Sequence, residues 1–313
     1  MKNFRRLAVV TAVAVYLQVV LGSVVRITGS GLGCRDWPLC YQHETDRFAY
    51  RTLLEVAHRL LGTAGGLLVL ATAVGAFLLY RRGRGADGFP RGLWLAAATG
   101  LGLYGFQAVL GGVTVLMKNS PFTVAIHLAN AELVLGMTIV VALWATRALR
   151  EAGPTGAGGG STLLVAAALG AYVIVVTGAV VVGTGASGAC TSWPLCGGAG
   201  RLADTHMLHR VVVLLGSVAI MLAVHSGWRR WRGKGLAAAA VLTAGLLLAE
   251  VLVGAAQVLA GLPPALRSIH VALASGVWAG TVLLAAGAWL ERRRADVPGA
   301  AARTRLAPVE ANS

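Results

Sequence analysis

Charge is scarce in this chain. Only 12% of its 313 residues are Asp, Glu, Lys or Arg, where a soluble globular domain carries roughly a quarter. That shortfall excludes an ordinary water-soluble protein. Acids are the scarcer sign, 12 against 27 basic residues. Cysteine is limited to four positions, Cys34, Cys40, Cys190 and Cys196. None stands in the Cys-x-x-Cys spacing that tunes thiol acidity, which disfavours a membrane disulfide oxidoreductase. Five residues between cysteines also fit a zinc knuckle poorly, since such sites prefer Cys-x₂₋₄-Cys with a His partner.

What the chain has instead is hydrophobic residues, 57% of the total. Runs of about 20 apolar residues recur, each long enough to cross a hydrocarbon core of about 30 Å. Several such runs mark a helical membrane protein rather than a barrel. Eight spans are predicted, at residues 7–27, 55–80, 92–116, 122–146, 162–182, 206–227, 236–259 and 267–290. The first follows Lys2, Arg5 and Arg6 and imitates a signal peptide. It is long, however, and lacks a clear small-residue cleavage site, so it reads as a retained span.

The net charge of +15 is explained by placement. Basic residues gather in the loops on the N-terminal side, such as Arg81, Arg82 and Arg84, or Arg229, Arg230 and Arg232. By the positive-inside rule both termini are expected in the cytoplasm of a multi-pass cell-membrane protein. Such patches face anionic membrane lipid; no nucleic-acid partner is expected. Both cysteine loops then lie outside, where disulfides persist. Two cysteines in each loop favour the pairs Cys34–Cys40 and Cys190–Cys196. Each closure contributes about 2 kcal/mol on the chain-entropy estimate.

The chain is written twice. At an offset of 156, Tyr16 meets Tyr172, Gly22 meets Gly178, and "WPLC" at Trp37–Cys40 meets "WPLC" at Trp193–Cys196. At offset 151, His58-Arg59 meets His209-Arg210; at offset 143, "QAVLGGVTVL" from Gln107 meets "EVLVGAAQVL" from Glu250, and His127 meets His270. Such self-similarity signals an internal duplication. Each half holds four spans, so both have the same orientation, related by a pseudo-two-fold axis along the membrane normal. The expected architecture is an all-α integral membrane protein, eight transmembrane helices as two pseudo-two-fold-related four-helix bundles. Residues 1–149 form the first half with its outer loop 28–54, 150–161 a Gly-rich cytoplasmic linker, 162–293 the second half with its outer loop 183–205, and 294–313 a disordered cytoplasmic tail.

Four histidines fall at one predicted depth, about one turn inside the outer ends of spans 2, 4, 6 and 8: His58, His127, His209 and His270. A charged side chain inside a span costs about 2.5 kcal/mol or more and is a functional candidate by default. One such histidine reads most simply as an interhelical hydrogen bond. Four at matched depth, two per repeat, point to cofactor sites built between facing helices. Paired neutral imidazoles suit axial ligation of haem iron. The pairs His58/His127 and His209/His270 therefore predict two haem sites, each under a cysteine loop acting as a lid. Arg59 and Arg210 are candidates to meet haem propionates, with Arg26 at the same depth; snorkelling to headgroups is the plainer alternative. His43 reads as solvated and His225 as interfacial.

The halves differ at one polar position: Glu55 in "EVAHR" becomes His206 in "HMLHR". Glu55 and His58 are three apart and share a helix face. Glu55 is expected to orient the imidazole, move protons or place charge near a reacting carbon. The plainer alternative is an acid at a helix N-terminus in the headgroup layer. Glu132 and Glu250 read as interhelical polar contacts. The divergence suggests one haem as substrate and the other as resident cofactor.

These residues resemble the haem A synthase family over essentially the whole chain: eight spans, "GSGLGCRDWPLC", "EVAHR" opening span 2, and a histidine in each of spans 4, 6 and 8. The resemblance implies oxidation of the ring-position-8 methyl of haem O to a formyl group, giving haem A for a terminal cytochrome oxidase in a bacterial cell membrane. It implies a haem b cofactor, with its iron, on His209 and His270, and a haem O substrate pocket with His58, His127 and Glu55. Expected partners are the haem O synthase (a prenyltransferase), the cytochrome oxidase assembly and an unidentified electron donor. The competing functions are a di-haem b electron-transfer protein and a haem transporter or chaperone.

Overall fold

Hydrocarbon offers no water to backbone N–H and C=O groups, so an apolar run of this length closes its hydrogen bonds within itself. A computed structural model describes residues 2–34, 37, 49–83, 91–146, 159–233 and 235–295. Among these, the chain forms eight long α-helices and no strand: α1 (Lys2–Ile27), α2 (Tyr50–Arg82), α3 (Arg91–Leu116), α4 (Pro121–Ala145), α5 (Gly159–Gly183), α6 (Arg201–Arg230), α7 (Gly235–Leu259) and α8 (Pro264–Ala295). All eight are long and apolar enough to cross a membrane. Large apolar side chains such as Leu60, Leu169, Leu214 and Leu242 face outward, as expected where the surroundings are as apolar as the core. Cys40, His43, most of the linker and most of the C-terminal tail lie outside the described residues.

Helices α2 and α6 begin at Tyr50 and Arg201, a turn before the apolar runs that mark them. Their first turns contain Arg51 and Glu55, or Arg201, Asp204 and His206, which hydropathy excludes from a span. All four histidines consequently lie about two turns inside their helices rather than one.

The turns repeat as the sequence does. α3 ends on Lys118 and Asn119 with φ of 51° and 56°, and α7 ends on Gly261 and Leu262 with φ of 74° and 63°. The Asn119 and Leu262 N–H groups close onto the Thr114 and Gln257 carbonyls, a left-handed C-terminal stop. α4 then starts at Pro121, capped by the Ser120 hydroxyl, and α8 starts at Pro264, where proline loses no hydrogen bond.

Packing follows the duplication. α1 touches α2 and α4, and α3 touches α2 and α4, so α2 and α4 stand at opposite corners of a four-helix square. α5 to α8 repeat this arrangement, with α6 and α8 at opposite corners. The halves join where α4 meets α5 and α8, and where α1 meets α8. At this seam Tyr16 on α1 donates to the Ala272 carbonyl on α8 (3.0 Å), and Tyr172 on α5 donates to the Ala129 carbonyl on α4 (3.2 Å). Between them the fully buried Glu132 accepts from Ser275 at 2.6 Å. Glu132 and Ser275 are themselves repeat equivalents, 143 residues apart.

Candidate functional site

Each of the four histidines rests on the helix that precedes its own. A Cβ added at Gly22 on α1 would fall 2.9 Å from Cε1 of His58; at Gly111 on α3, 3.4 Å from Cε1 of His127. At Gly178 on α5 it would fall 3.3 Å from His209, and at Gly254 on α7, 3.0 Å from His270. A Cβ would collide with the ring at Gly22 and crowd it at Gly178 and Gly254, while at Gly111 it would make an ordinary contact. Gly22 and Gly178 stand at the 156 offset, Gly111 and Gly254 at the 143 offset, so the seats are duplicated with the rings.

A polar side chain on the same preceding helix meets each ring. Nε2 of Gln18 lies 3.1 Å from Nδ1 of His58 and donates to the His58 carbonyl. Nε2 of Gln107 lies 3.1 Å from Nε2 of His127 and donates to the His127 carbonyl. Oγ1 of Thr177 lies 2.9 Å from Nδ1 of His209. Oε1 of Glu250 lies 3.0 Å from Nδ1 of His270, an oblique contact that acts as an electrostatic pair and not an aligned hydrogen bond. The sequence marks Glu250 as an interhelical contact but leaves its partner open, and gives Gln18, Gln107 and Thr177 no role. The overlooked signal lay in the repeat: Gln107 and Glu250 occupy equivalent positions, each four residues before the glycine seat.

His58 and His127 project from opposite corners of the first square and lie within electrostatic range of each other, as do His209 and His270 in the second. All four rings are half-buried. Among the described residues no three His, Cys, Asp or Glu side chains converge as a site for a bare metal ion. Two opposed imidazoles suit a metal whose remaining ligands arrive with it, as in a porphyrin. The second pair fits best, because the contacts of His209 and His270 with the preceding helix use Nδ1 and leave Nε2 for iron.

The outer loops are tied to the histidine helices. Glu55 is 3% exposed; its Oε2 accepts from the Cys34 N–H at 2.8 Å and its Oε1 pairs with Arg59 at 2.5 Å. Arg59 also donates to the Cys34 carbonyl at 3.0 Å. This carboxylate is therefore not in the headgroup layer; it clasps the first loop to α2. In the second half Arg210 donates to the Ser192 and Pro194 carbonyls, both at 2.9 Å, and His206 is buried. Cys190 and Cys196 form the disulfide expected of them. Cys34 is disulfide-bonded too. Trp37 of the first loop packs on α3, where a Cβ at Gly112 would fall 3.0 Å from its ring, beside the seat of His127. The second half has Ala255 at the position of Gly112.

Fold and site together define a class: an eight-span helical membrane protein with one opposed histidine pair in each four-helix half. The chain belongs to the COX15-CtaA family of cytochrome oxidase assembly proteins, whose profile matches residues 5–282. It is 27% identical to the Heme A synthase of Shouchella clausii (strain KSM-K16) over 263 residues, covering 80% of this chain and 83% of that protein. Against the Heme A synthase of Symbiobacterium thermophilum identity is also 27%, over 292 residues, 89% of this chain and 93% of that protein. A stretch of 144 residues is 31% identical to the Protoheme IX farnesyltransferase of Halobacterium salinarum, 44% of this chain and 31% of that one.

Proposed function

We propose that this protein is a haem A synthase, converting the ring-position-8 methyl of haem O to a formyl group in the cell membrane, with both termini cytoplasmic. The observation that carries the proposal is the duplicated pair of opposed histidines, each ring seated on a glycine of the preceding helix. The likeness to proteins named Heme A synthase supports it. The two halves are related by a pseudo-two-fold axis through the Glu132–Ser275 contact, a reading supported by the exchanged tyrosine bonds.

In this reading haem b sits on His209 and His270, and haem O is bound as substrate between His58 and His127. Methyl to formyl is two successive two-electron oxidations of the carbon, giving first a hydroxymethyl and then a hydrated aldehyde that loses water; each adds one oxygen atom from dioxygen, whose second oxygen takes two electrons from the separate electron donor and two protons and leaves as water. A bound haem b supplies one-electron redox chemistry; the protein sets its potential through the ligands and their neighbours. His58 and His127 fix the substrate's iron and so its orientation. Glu55 and Arg59 hold the first cysteine loop against α2, and Trp37 closes it onto α3, which limits water at the reacting face. A prenyltransferase supplies the substrate, and oxidase assembly consumes the product.

The test is co-expression with a haem O-producing prenyltransferase followed by haem extraction. Haem A is expected from the wild type and is lost on replacing any of the four histidines. Unchanged haem O from the wild type supports a haem carrier instead.

A further inference from the structure

The four ring contacts differ in which atom donates, and at His127 backbone carbonyls settle the assignment. A carbonyl only accepts, so a side-chain atom bonded to one is a donor. Gln18 presents Nε2 to the His58 carbonyl, and the same NH₂ group lies 3.1 Å from Nδ1 and 3.4 Å from Nε2 of His58, so it selects neither ring nitrogen. Around His127 the donor is fixed. Asn130 donates to the Leu103 carbonyl at 3.1 Å and to Oε1 of Gln107 at 2.7 Å. The Gln107 amide is thereby fixed, with its NH₂ toward the His127 carbonyl and toward Nε2 of the ring. The lone pair of that Nε2 is already occupied, and Nδ1 is buried without a partner.

The second half differs. The Thr177 hydroxyl lies 3.0 Å from the Ile174 carbonyl and 2.9 Å from Nδ1 of His209, and its one proton can serve either, so it does not set the tautomer of His209. Glu250 sets a carboxylate oxygen 3.0 Å from Nδ1 of His270. A lone pair there would face the carboxylate unfavourably, while an N–H is attracted to it. Nε2 of His270 is thereby left with its lone pair, the form in which imidazole binds a metal.

We propose that the repeat equivalents Gln107 and Glu250 are positioning residues that divide the pockets, the Gln107 amide covering the Nε2 lone pair of His127 and the Glu250 carboxylate backing Nδ1 of His270, so that the second pocket holds its iron firmly and the first takes and releases it. Ligation through Nε2 of His127 displaces the Gln107 amide; ligation through Nε2 of His270 leaves the Glu250 contact in place. An exchangeable site is what a substrate requires, and a resident site is what a cofactor requires. The inference rests on the haem reading above, and adds to it the residues that divide the two pockets.

Because Gln107 and Glu250 are repeat equivalents, the test is to replace each in full-length, haem-loaded protein. Two parent chains isolate the pockets: His58→Ala/His127→Ala keeps the second, His209→Ala/His270→Ala the first. Haem release is followed by transfer to excess apomyoglobin, and the midpoint potential by spectroscopic redox titration. In the wild type, the second pocket should release more slowly than the first. Glu250→Gln in the second-pocket parent should speed release by about tenfold to a hundredfold, the usual range for losing a partner of a metal-ligating histidine. It should also raise the midpoint, because the ring then donates less to ferric iron. Glu250→Asp should recover both. Gln107→Leu in the first-pocket parent removes the amide that competes with iron for Nε2 of His127 and should slow release. Release rates within twofold of the parents, or faster release from both variants, overturn the inference. A parent pair with no Soret band overturns the haem reading itself, a distinct result.

Discussion

Each histidine in these helices faces the same problem. An imidazole in hydrocarbon needs a partner for its nitrogens and a surface on which to lie. Residue by residue, the solution is a glycine and a polar side chain on the preceding helix. Glu55 solves a different problem. With one oxygen on the Cys34 N–H and the other on Arg59, it has no contact with His58 among the described bonds, although the two share a helix face. On this geometry Glu55 also holds the loop over the pocket. Glu55→Ala takes the carboxylate away from Arg59 and leaves the buried Cys34 N–H without its acceptor. Removing one member of a buried pair costs about 3–5 kcal/mol, and the cost is local to the first loop. The expected outcome is loss of haem A formation with the His209/His270 Soret signal retained; a fully active Glu55→Ala enzyme in membranes would remove the residue from the mechanism. Cys34→Ser is expected to act the same way, weakening haem retention in the first pocket more than in the second.

At the scale of the element, a helix–helix interface here is defined by what one helix omits. α1 omits a side chain at Gly22 and α5 at Gly178; α3 and α7 do the same at Gly111 and Gly254. Valine at Gly22 would push atoms into His58, an overpacking change of about 1–3 kcal/mol if the ring cannot yield. With the ring as the proposed iron ligand, yielding means leaving its position. Gly22→Val is therefore expected to abolish haem binding in the first pocket, and Gly254→Val in the second, each without unfolding the other half. Absorbance spectra of the two purified variants check this, one haem per chain being the expected loading. The helix starts make a related point. Hydropathy places the first turns of α2 and α6 outside the spans, because it counts Arg51, Glu55, Asp204 and His206 as unfit for lipid. The structure includes them; Glu55, for one, is satisfied by the overlying loop.

For the whole molecule, the seam between the halves is the defining contact. Tyr16 and Tyr172 exchange equivalent bonds across it, and Glu132 meets its own repeat counterpart, Ser275. Trp278 fixes the same stretch of α4, donating to the Glu132 carbonyl at 2.8 Å. Ser275→Ala leaves a buried carboxyl oxygen without its donor, a loss of about 1–3 kcal/mol. A lower thermal unfolding midpoint in detergent, with both haem signals disappearing together, is the expected result. Separate loss of the two signals would show that the halves are held independently. Orientation is tested at this scale too. A fluorescent-protein fusion at the C-terminus should be bright and a periplasmic phosphatase fusion there inactive, with the reverse for fusions in the loop near Gly198.

Much of this was legible in the residues alone. Eight spans follow from run length, because a backbone in hydrocarbon has only the helix available. The duplication, the four histidines and the Cys190–Cys196 bridge follow from repeated spacing, which survives any detail of packing. The sequence could not say that Glu55 reaches a loop 21 residues before it, that Arg59 and Arg210 grip backbone carbonyls, or that Gln18 and Thr177 meet histidines 40 and 32 positions away. Those contacts depend on the rotation of each helix about its axis and on the depth at which neighbours slide together. Neither is written in hydropathy, since lipid tails and buried Leu or Val are equally apolar. Only the assembled tertiary structure chooses the rotation, by bringing glycine against imidazole and donor against acceptor at once.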